Sequence, residues 1–201
     1  MTQRHRLPTD TDTGLLLIIS GPSGVGKTTI TRGVERSISD AIFSISVTTR
    51  EKTLADVEGV DYRFIDNKAF DAMISDDDFL EHAEVFGNKY GTPRAWVEEQ
   101  LERGRVVILE IDVQGAKQVK RIVPDAFAVF IMPPDDDTLF TRLRNRKREP
   151  EEAIKRRFAE ATREIAMARE SGVYDEFVIN DVLEHAIHSV IALVKERRSS
   201  G

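Results

Sequence analysis

The run Gly21-Pro22-Ser23-Gly24-Val25-Gly26-Lys27-Thr28 fits the pattern G-x-x-x-x-G-K-[ST], and each residue type in it has a task around a polyphosphate. Glycines let backbone N–H groups curl around phosphate oxygens where a Cβ would clash. A lysine at position 27 can reach the β- and γ-phosphates, and the Thr28 hydroxyl can ligate Mg²⁺. A helix opening near Lys27 would turn its positive end on the same anion. By average residue usage roughly one chain of this length in a hundred matches by accident, so context has to decide. Here the run stands between the apolar stretch Leu15–Ser20 and a helical one, which is the setting the mechanism requires. These residues predict ATP as phosphoryl donor with Mg²⁺, and leave the acceptor open.

Other residues could act on the transferred group. Arg142, Arg144, Arg146, Lys147 and Arg148 form a basic cluster inside a chain whose net charge is −6. Arg142 and Arg146, four apart on a helix, share one face, and cationic side chains stabilise a phosphoryl group in flight. An exposed basic helix face is the plain alternative, and it is the reading taken for Arg144, Lys147 and Arg148. Asp112 follows the apolar run Val106–Ile111, so its carboxylate should emerge at a strand's carboxyl end, where open α/β sheets bind ligands. That position suits steering of Mg²⁺-bound water and of the acceptor, with Glu110 close by; a strand-end salt bridge is the alternative.

The elements that must hold these groups alternate. Leu15–Ser20 reads as a buried strand stopped by Gly21-Pro22, followed by a helix from about Gly26-Lys27 to Ser37–Asp40. Phe43–Val47 reads as a second strand. From Thr48 to Thr92 the pattern breaks into short alternating pieces such as Val60–Phe64, as in an inserted lobe. Arg94–Arg103 reads as a helix ended by Gly104; Val106–Ile111 and Ala126–Met132 read as strands buried on both faces. After Pro133-Pro134 come acidic helix-start residues Asp135–Asp137, a charged helix over Glu151–Glu170, a strand at Phe177–Ile179 and a helix over Leu183–Arg197. Such alternation predicts an α/β fold with a parallel sheet flanked by helices.

Bulk composition narrows the setting. The 201 residues suit one domain with small insertions; 40% are hydrophobic and 32% charged, enough for an ordinary core. An acidic balance argues against sequence-independent nucleic-acid binding. There are no cysteines, so neither disulfides nor thiolate metal sites are possible. No apolar run approaches the ~20 residues of a membrane span. Residues 1–13 read as a loose polar tail, and a cytoplasmic protein is expected. The sequence carries no signal for an oligomeric state.

Several segments, taken with the phosphate loop, resemble guanylate kinases. They are Ser44-Ile45-Ser46-Val47-Thr48-Thr49-Arg50, Gly59-Val60-Asp61-Tyr62, Phe79-Leu80-Glu81-His82-Ala83-Glu84-Val85, Phe86-Gly87-Asn88-Lys89-Tyr90-Gly91-Thr92-Pro93, Leu109-Glu110-Ile111-Asp112-Val113-Gln114-Gly115-Ala116 and Val178-Ile179-Asn180-Asp181. They follow the family's order from about Leu15 to the last helix. The resemblance implies a P-loop kinase core (14–47 and 93–201), with a helical lid at about 135–157 and an inserted GMP-binding lobe at 48–92. It implies ATP:GMP phosphotransfer in purine nucleotide metabolism, with ATP and GMP (and dGMP) as substrates and neither nucleic acid nor membrane as partner.

Site residues follow by the same resemblance. Glu81 would accept from the adjacent N1 and N2 donors of guanine, which a carboxylate with two acceptor oxygens matches; Ser46 and Thr92 would address the base edge near O6. For Glu81 the plain alternative is a solvated helix face. Arg50, Tyr62 and Tyr90 would bind the GMP phosphate, Arg50 as a bidentate fork. Glu110 and Asp112 would border GMP; Arg142, Arg146 and Arg157 would be the lid arginines; Asn180 would stand beside the adenine. Two stretches depart from the family. Thr53 stands where a second phosphate-binding arginine is usual, with Lys52 as a candidate substitute and Leu54 and Ala55 in place of Pro and Gly. Lys147-Arg148-Glu149-Pro150 replaces a Gly-Thr-Asp-like stretch in the lid. Two other readings remain: a related kinase with another phosphorylated acceptor, and a catalytically silent module that binds protein partners. The intact Gly26, Lys27 and Thr28 argue against the second.

Overall fold

The computed structural model describes residues 14–85, 87–146 and 150–199, apart from the side chain of Arg146. The expected tail at residues 1–13 and, within the expected lid, Lys147, Arg148 and Glu149 lie outside the described residues. In chain order the elements are β1 (Leu15–Ser20), α1 (Lys27–Ser37), β2 (Ala41–Phe43), β3 (Val47–Thr48), β4 (Arg63–Phe64), α2 (Asn67–Ser75), β5 (Phe79–Val85) and β6 (Asn88–Pro93). There follow α3 (Arg94–Glu102), β7 (Val106–Glu110), α4 (Val113–Ile122), β8 (Phe127–Met132), α5 (Asp136–Arg146), α6 (Glu151–Ser171), β9 (Glu176–Ile179) and α7 (Leu183–Ser199).

The main sheet has the order β2-β7-β1-β8-β9, with every neighbouring pair parallel. Its apolar runs are continuous because both faces are covered. Side chains alternate across the pleat: Leu15, Leu17 and Ile19 of β1 join one core with Ile30 and Val34 of α1 and Val190 and Val194 of α7. Leu16 and Ile18 join the opposite core, made with Ala116 and Val119 of α4, Leu139 and Leu143 of α5, and Ala161 and Ile165 of α6. β1 is thus central, and its carboxyl end opens onto the loops that follow β1 and β7.

A second sheet, β4-β3-β6-β5, pairs β3 with β4 in parallel and β6 antiparallel to both β3 and β5. Its small core is Val47, Phe70 and Phe79, with Ile65 and Met73 packed against it. The single strand expected over Phe43–Val47 is divided between the two sheets. Ser44 N–H still donates to Ile108 O at 2.9 Å beside β7, whereas Val47 pairs with Gly91 of β6. Apolar Phe43, Ile45 and Val47 alternate with serines, a strand-like period that local pattern alone cannot split. Likewise only Arg63–Phe64 of the expected Val60–Phe64 piece is strand.

The last helix is tied to the sheet edge by an ion pair. Arg198 donates to both Asp40 carboxylate oxygens, at 3.2 and 2.9 Å, and the Asp40 side chain is only 4% exposed. Removing one partner of a buried charged hydrogen bond strands the other. Arg198→Ala should therefore lower unfolding free energy by about 1.5–3 kcal/mol, read as a drop in the urea midpoint at unchanged slope. No helix among the described residues is long and apolar enough to cross a membrane.

Candidate active site

The loop after β1 wraps the start of α1. Gly26 caps that helix with φ 98°, a left-handed conformation, and a Cβ there would stand 2.9 Å from Asn180 Nδ2. Asn180, at the end of β9, is buried and donates from Nδ2 to Val25 O at 2.7 Å. Lys27 folds back over its own loop, donating from Nζ to the carbonyls of Gly21 and Pro22. Arg157 of α6 donates to Ser23 Oγ at 2.8 Å, so α6 touches the loop. Thr28 Oγ1 donates to Glu110 Oε1 at 2.8 Å, linking α1 to the end of β7.

A cavity of about 410 Å³ runs from this loop to the second sheet. Gly21 and Lys27 line it at one end, with Glu110, Asp112 and Glu164; Ser46, Tyr62, Glu81 and Tyr90 line it toward the other sheet. A larger cavity of about 500 Å³ lies between α6, β9 and Pro133–Asp136, and none of the phosphate-loop residues faces it. We place the site in the first cavity because polar groups from both sheets converge there.

Glu81 stands on β5, directly opposite Thr92 on β6, and it is 6% exposed. The solvated helix face entertained for it is thereby excluded. Thr92 Oγ1 donates to Glu81 Oε1 at 2.6 Å, and Gly115 of α4 approaches so closely that a Cβ there would lie 2.9 Å from Glu81 Oε2. Burial raises the Glu81 pKa to about 7; the Thr92 donors oppose that rise and the Asp112 charge adds to it. Asp112 itself caps α4, accepting from Gly115 N–H at 2.8 Å through Oδ1. Glu164, which sequence reasoning passed over, projects from α6 seven residues after Arg157. Its pKa is raised by burial, with the Lys27 charge acting against the rise and Asp112 with it. The two-turn spacing from Arg157 was the available signal.

Two expected residues, and Thr53 at the position where a second arginine is usual, are engaged elsewhere. Arg50 pairs with Asp56 and does not line the cavity, although its guanidinium lies 5.3 Å from the centre of the Tyr62 ring that does. Thr53 is turned to Asp56, not into the cavity. Arg142 donates to the carbonyls of Asn180 and Asp181 at 2.9 and 3.4 Å, holding α5 against the β9–α7 connection. Arg146 ends α5, and its side chain lies outside the described residues.

Among the described residues no group of three or more acidic, histidine or cysteine side chains could hold a metal. Thr28 and Glu110 form the best protein oxygen pair beside the loop. Such a sparse set suits Mg²⁺, which keeps several waters and substrate phosphate oxygens and asks little of the protein.

A family model described as guanylate kinase matches residues 13–197. The guanylate kinase of Carboxydothermus hydrogenoformans is 46% identical over 181 residues, covering 90% of this chain and 87% of that one. A guanylate kinase of Thermus thermophilus is 47% identical over 190 residues, covering 94% and 84%. Among solved structures, guanylate kinase from Anaplasma phagocytophilum superposes with a TM-score of 0.71 at 29% identity, covering 94% of this chain and 88% of that one. With the phosphate loop, the buried Glu81–Thr92 pair and the cavity between them in one chain, these matches show that the protein belongs to the guanylate kinase family.

Proposed function

We propose that the chain transfers the γ-phosphoryl group of ATP to GMP, giving ADP and GDP. The observation that carries this reading is the single cavity with Lys27 of the phosphate loop at one end and the buried Glu81 carboxylate toward the other. A triphosphate at the loop and a guanine at Glu81 would then face each other across Glu110, Asp112, Tyr62 and Tyr90. The reaction is an in-line displacement: an oxygen of the GMP phosphate bonds to the γ-phosphorus while the bond from that phosphorus to the β–γ bridging oxygen breaks, and ADP leaves with the electron pair.

In this reading the backbone of Gly21–Thr28 cradles the ATP phosphates and Lys27 offsets charge on the transferring group. Thr28, with Glu110 behind it, would hold Mg²⁺. When bound, the metal would neutralise charge on the ATP phosphates. Glu81 accepts from guanine N1–H and N2–H, Thr92 and Ser46 border the base, and Tyr62, Tyr90 and Arg50 bind the acceptor phosphate. Asp112 orients groups between the two nucleotides. Arg157, already on Ser23, and Arg146 are assigned to the phosphoryl group, while Arg142, gripping the Asn180 carbonyl, borders the adenine end with Asn180. We further assign residues 14–47 and 93–201 to the core, 135–157 to a lid and 48–92 to the acceptor lobe. Net charge −6 supports small-molecule substrates over nucleic acid, and a chain without cysteines fits a reducing cytoplasm.

ADP production measured with GMP, dGMP, AMP, CMP and UMP in turn tests the assignment. GMP and dGMP are expected to support turnover, since no cavity residue is assigned to the 2′-hydroxyl. AMP, which has no donor at N1 and lacks the N2 amine, should fall at least ~10²-fold lower in kcat/KM. Equal turnover with AMP would remove guanine as the recognised base.

A further inference from the structure

Arg50 does not stand alone in the loop that follows β3. Its Nη2 donates to Asp56 Oδ1 at 2.8 Å, and its Nη1 to Asp56 Oδ2 at 3.0 Å and to Glu51 O at 3.1 Å. Asp56 is braced in turn: Thr53 gives Oδ2 both its backbone N–H and its hydroxyl, each at 2.7 Å. Tyr62 and Phe64 lie beside the guanidinium, with ring centres 5.3 and 5.5 Å from its central carbon.

A guanidinium has five N–H donors in a fixed planar fork. Asp56 takes the end-on pair and Glu51 O takes the second Nη1 hydrogen. Two donors remain, Nε–H and the second Nη2–H. They lie parallel along one edge, at the spacing that two oxygens of one phosphate match. Among the described residues neither has a partner.

Resting on the GMP reading, we propose that Asp56, braced by Thr53, is a positioning residue that aims this remaining edge of Arg50 at the acceptor's phosphate. Position 53 thus contributes by fixing Asp56 and not by supplying a second cation. Lys52, exposed beside it, is no part of the network. The Arg50 pairing and the Thr53 donors hold the Asp56 carboxyl well below its ordinary range, so the brace stays charged at every pH the assay uses. An arginine whose rotamers are already narrowed loses less freedom on gripping its ligand, and that is the whole of the gain.

The test compares binding of GMP with binding of guanosine, which shares the base and lacks the phosphate, by equilibrium titration of the full chain. Asp56→Asn should weaken GMP about tenfold and guanosine less than twofold. Thr53→Val, which keeps the backbone donor and loses only the hydroxyl, should weaken GMP two- to fourfold. In an Arg50→Lys background Asp56→Asn should have no further effect, because a point charge has no edge to aim. Equal weakening of GMP and guanosine would show a general role in the lobe and overturn the proposal. GMP binding unchanged in Asp56→Asn would overturn it too, and tighter binding would make Asp56 a competitor of the phosphate. Wild-type protein that preferred neither GMP over AMP nor guanosine over adenosine would remove the acceptor reading itself, a separate failure that takes the tether with it.

Discussion

Lys27→Ala is expected to lower kcat at least a hundredfold while the protein stays folded. The Lys27 ammonium sits at the mouth of the loop and donates to the loop's own carbonyls at Gly21 and Pro22. Those contacts are local and only partly buried, so their loss costs the fold little. In phosphoryl transfer the same ammonium would face charge spread over the equatorial oxygens, where a preorganised cation is worth ~10²–10³ in rate. Lys27 also stands near Glu164, so the alanine variant leaves that half-buried carboxylate beside the phosphate path without the lysine's offsetting charge. Both changes act in the same direction on the transferring group. Lys27→Arg keeps the charge but spreads it over a planar fork that does not fit the loop, and it should recover only part of the rate. The measurement is coupled ADP production with circular dichroism as the control for folding. A folded alanine variant within tenfold of wild-type kcat would remove the proposed role.

Most of the main sheet was legible because its signals are local. Leu15–Ser20, Val106–Glu110 and Phe127–Met132 are apolar nearly throughout, as a strand covered on both faces must be. The phosphate loop is likewise a contiguous pattern, and the contact of Thr28 with Glu110 follows from β1 lying beside β7. Phe43–Val47 was misread for the opposite reason: its alternation is the same on both sides of Ser44, and only pairing with β7 and then β6 divides it. Glu81 shows the limit for side chains. Its residue type was readable, but its burial depends on register with Thr92 and on the absent side chain of Gly115, neither of which lies near it in sequence. Asp56 escaped notice because an acidic residue in an exposed, polar stretch carries no pattern. Its meaning comes from where the loop returns to Arg50.

Glu81→Gln is expected to cut the preference for GMP over AMP by ~10²-fold or more, since a site built to pair polar groups discriminates through the pairs it leaves unmade. The amide would place an NH₂ where guanine needs an acceptor, while Thr92 Oγ1 already claims the other oxygen. The wild-type carboxyl carries a second, opposite effect. Burial raises its pKa to about 7 from an ordinary value of 4.5, so the folded protein holds a proton there that the unfolded chain releases. Stability from this group is fully present below about pH 4.5 and is lost as pH rises through about 7, on the order of 3 kcal/mol. Guanine binding needs the ionised form, so affinity for guanosine, which has no phosphate to titrate, should fall about tenfold per unit below pH 7, with a proton released on binding. The charge of Asp112 on α4 adds to the rise, and the Thr92 donors on β6 limit it. Glutamine has no proton to release. Glu81→Gln should therefore melt higher than wild type at pH 8 and no higher at pH 4.5, while its weak binding of guanosine, which lacks the phosphate's own ionisation near pH 6, stays flat between pH 5.5 and 8. Thermal melts at the two pH values and guanosine titrations in buffers of different ionisation enthalpy read these effects separately. A variant that kept both its preference for GMP and the wild-type pH dependence would place guanine recognition on another group in the cavity.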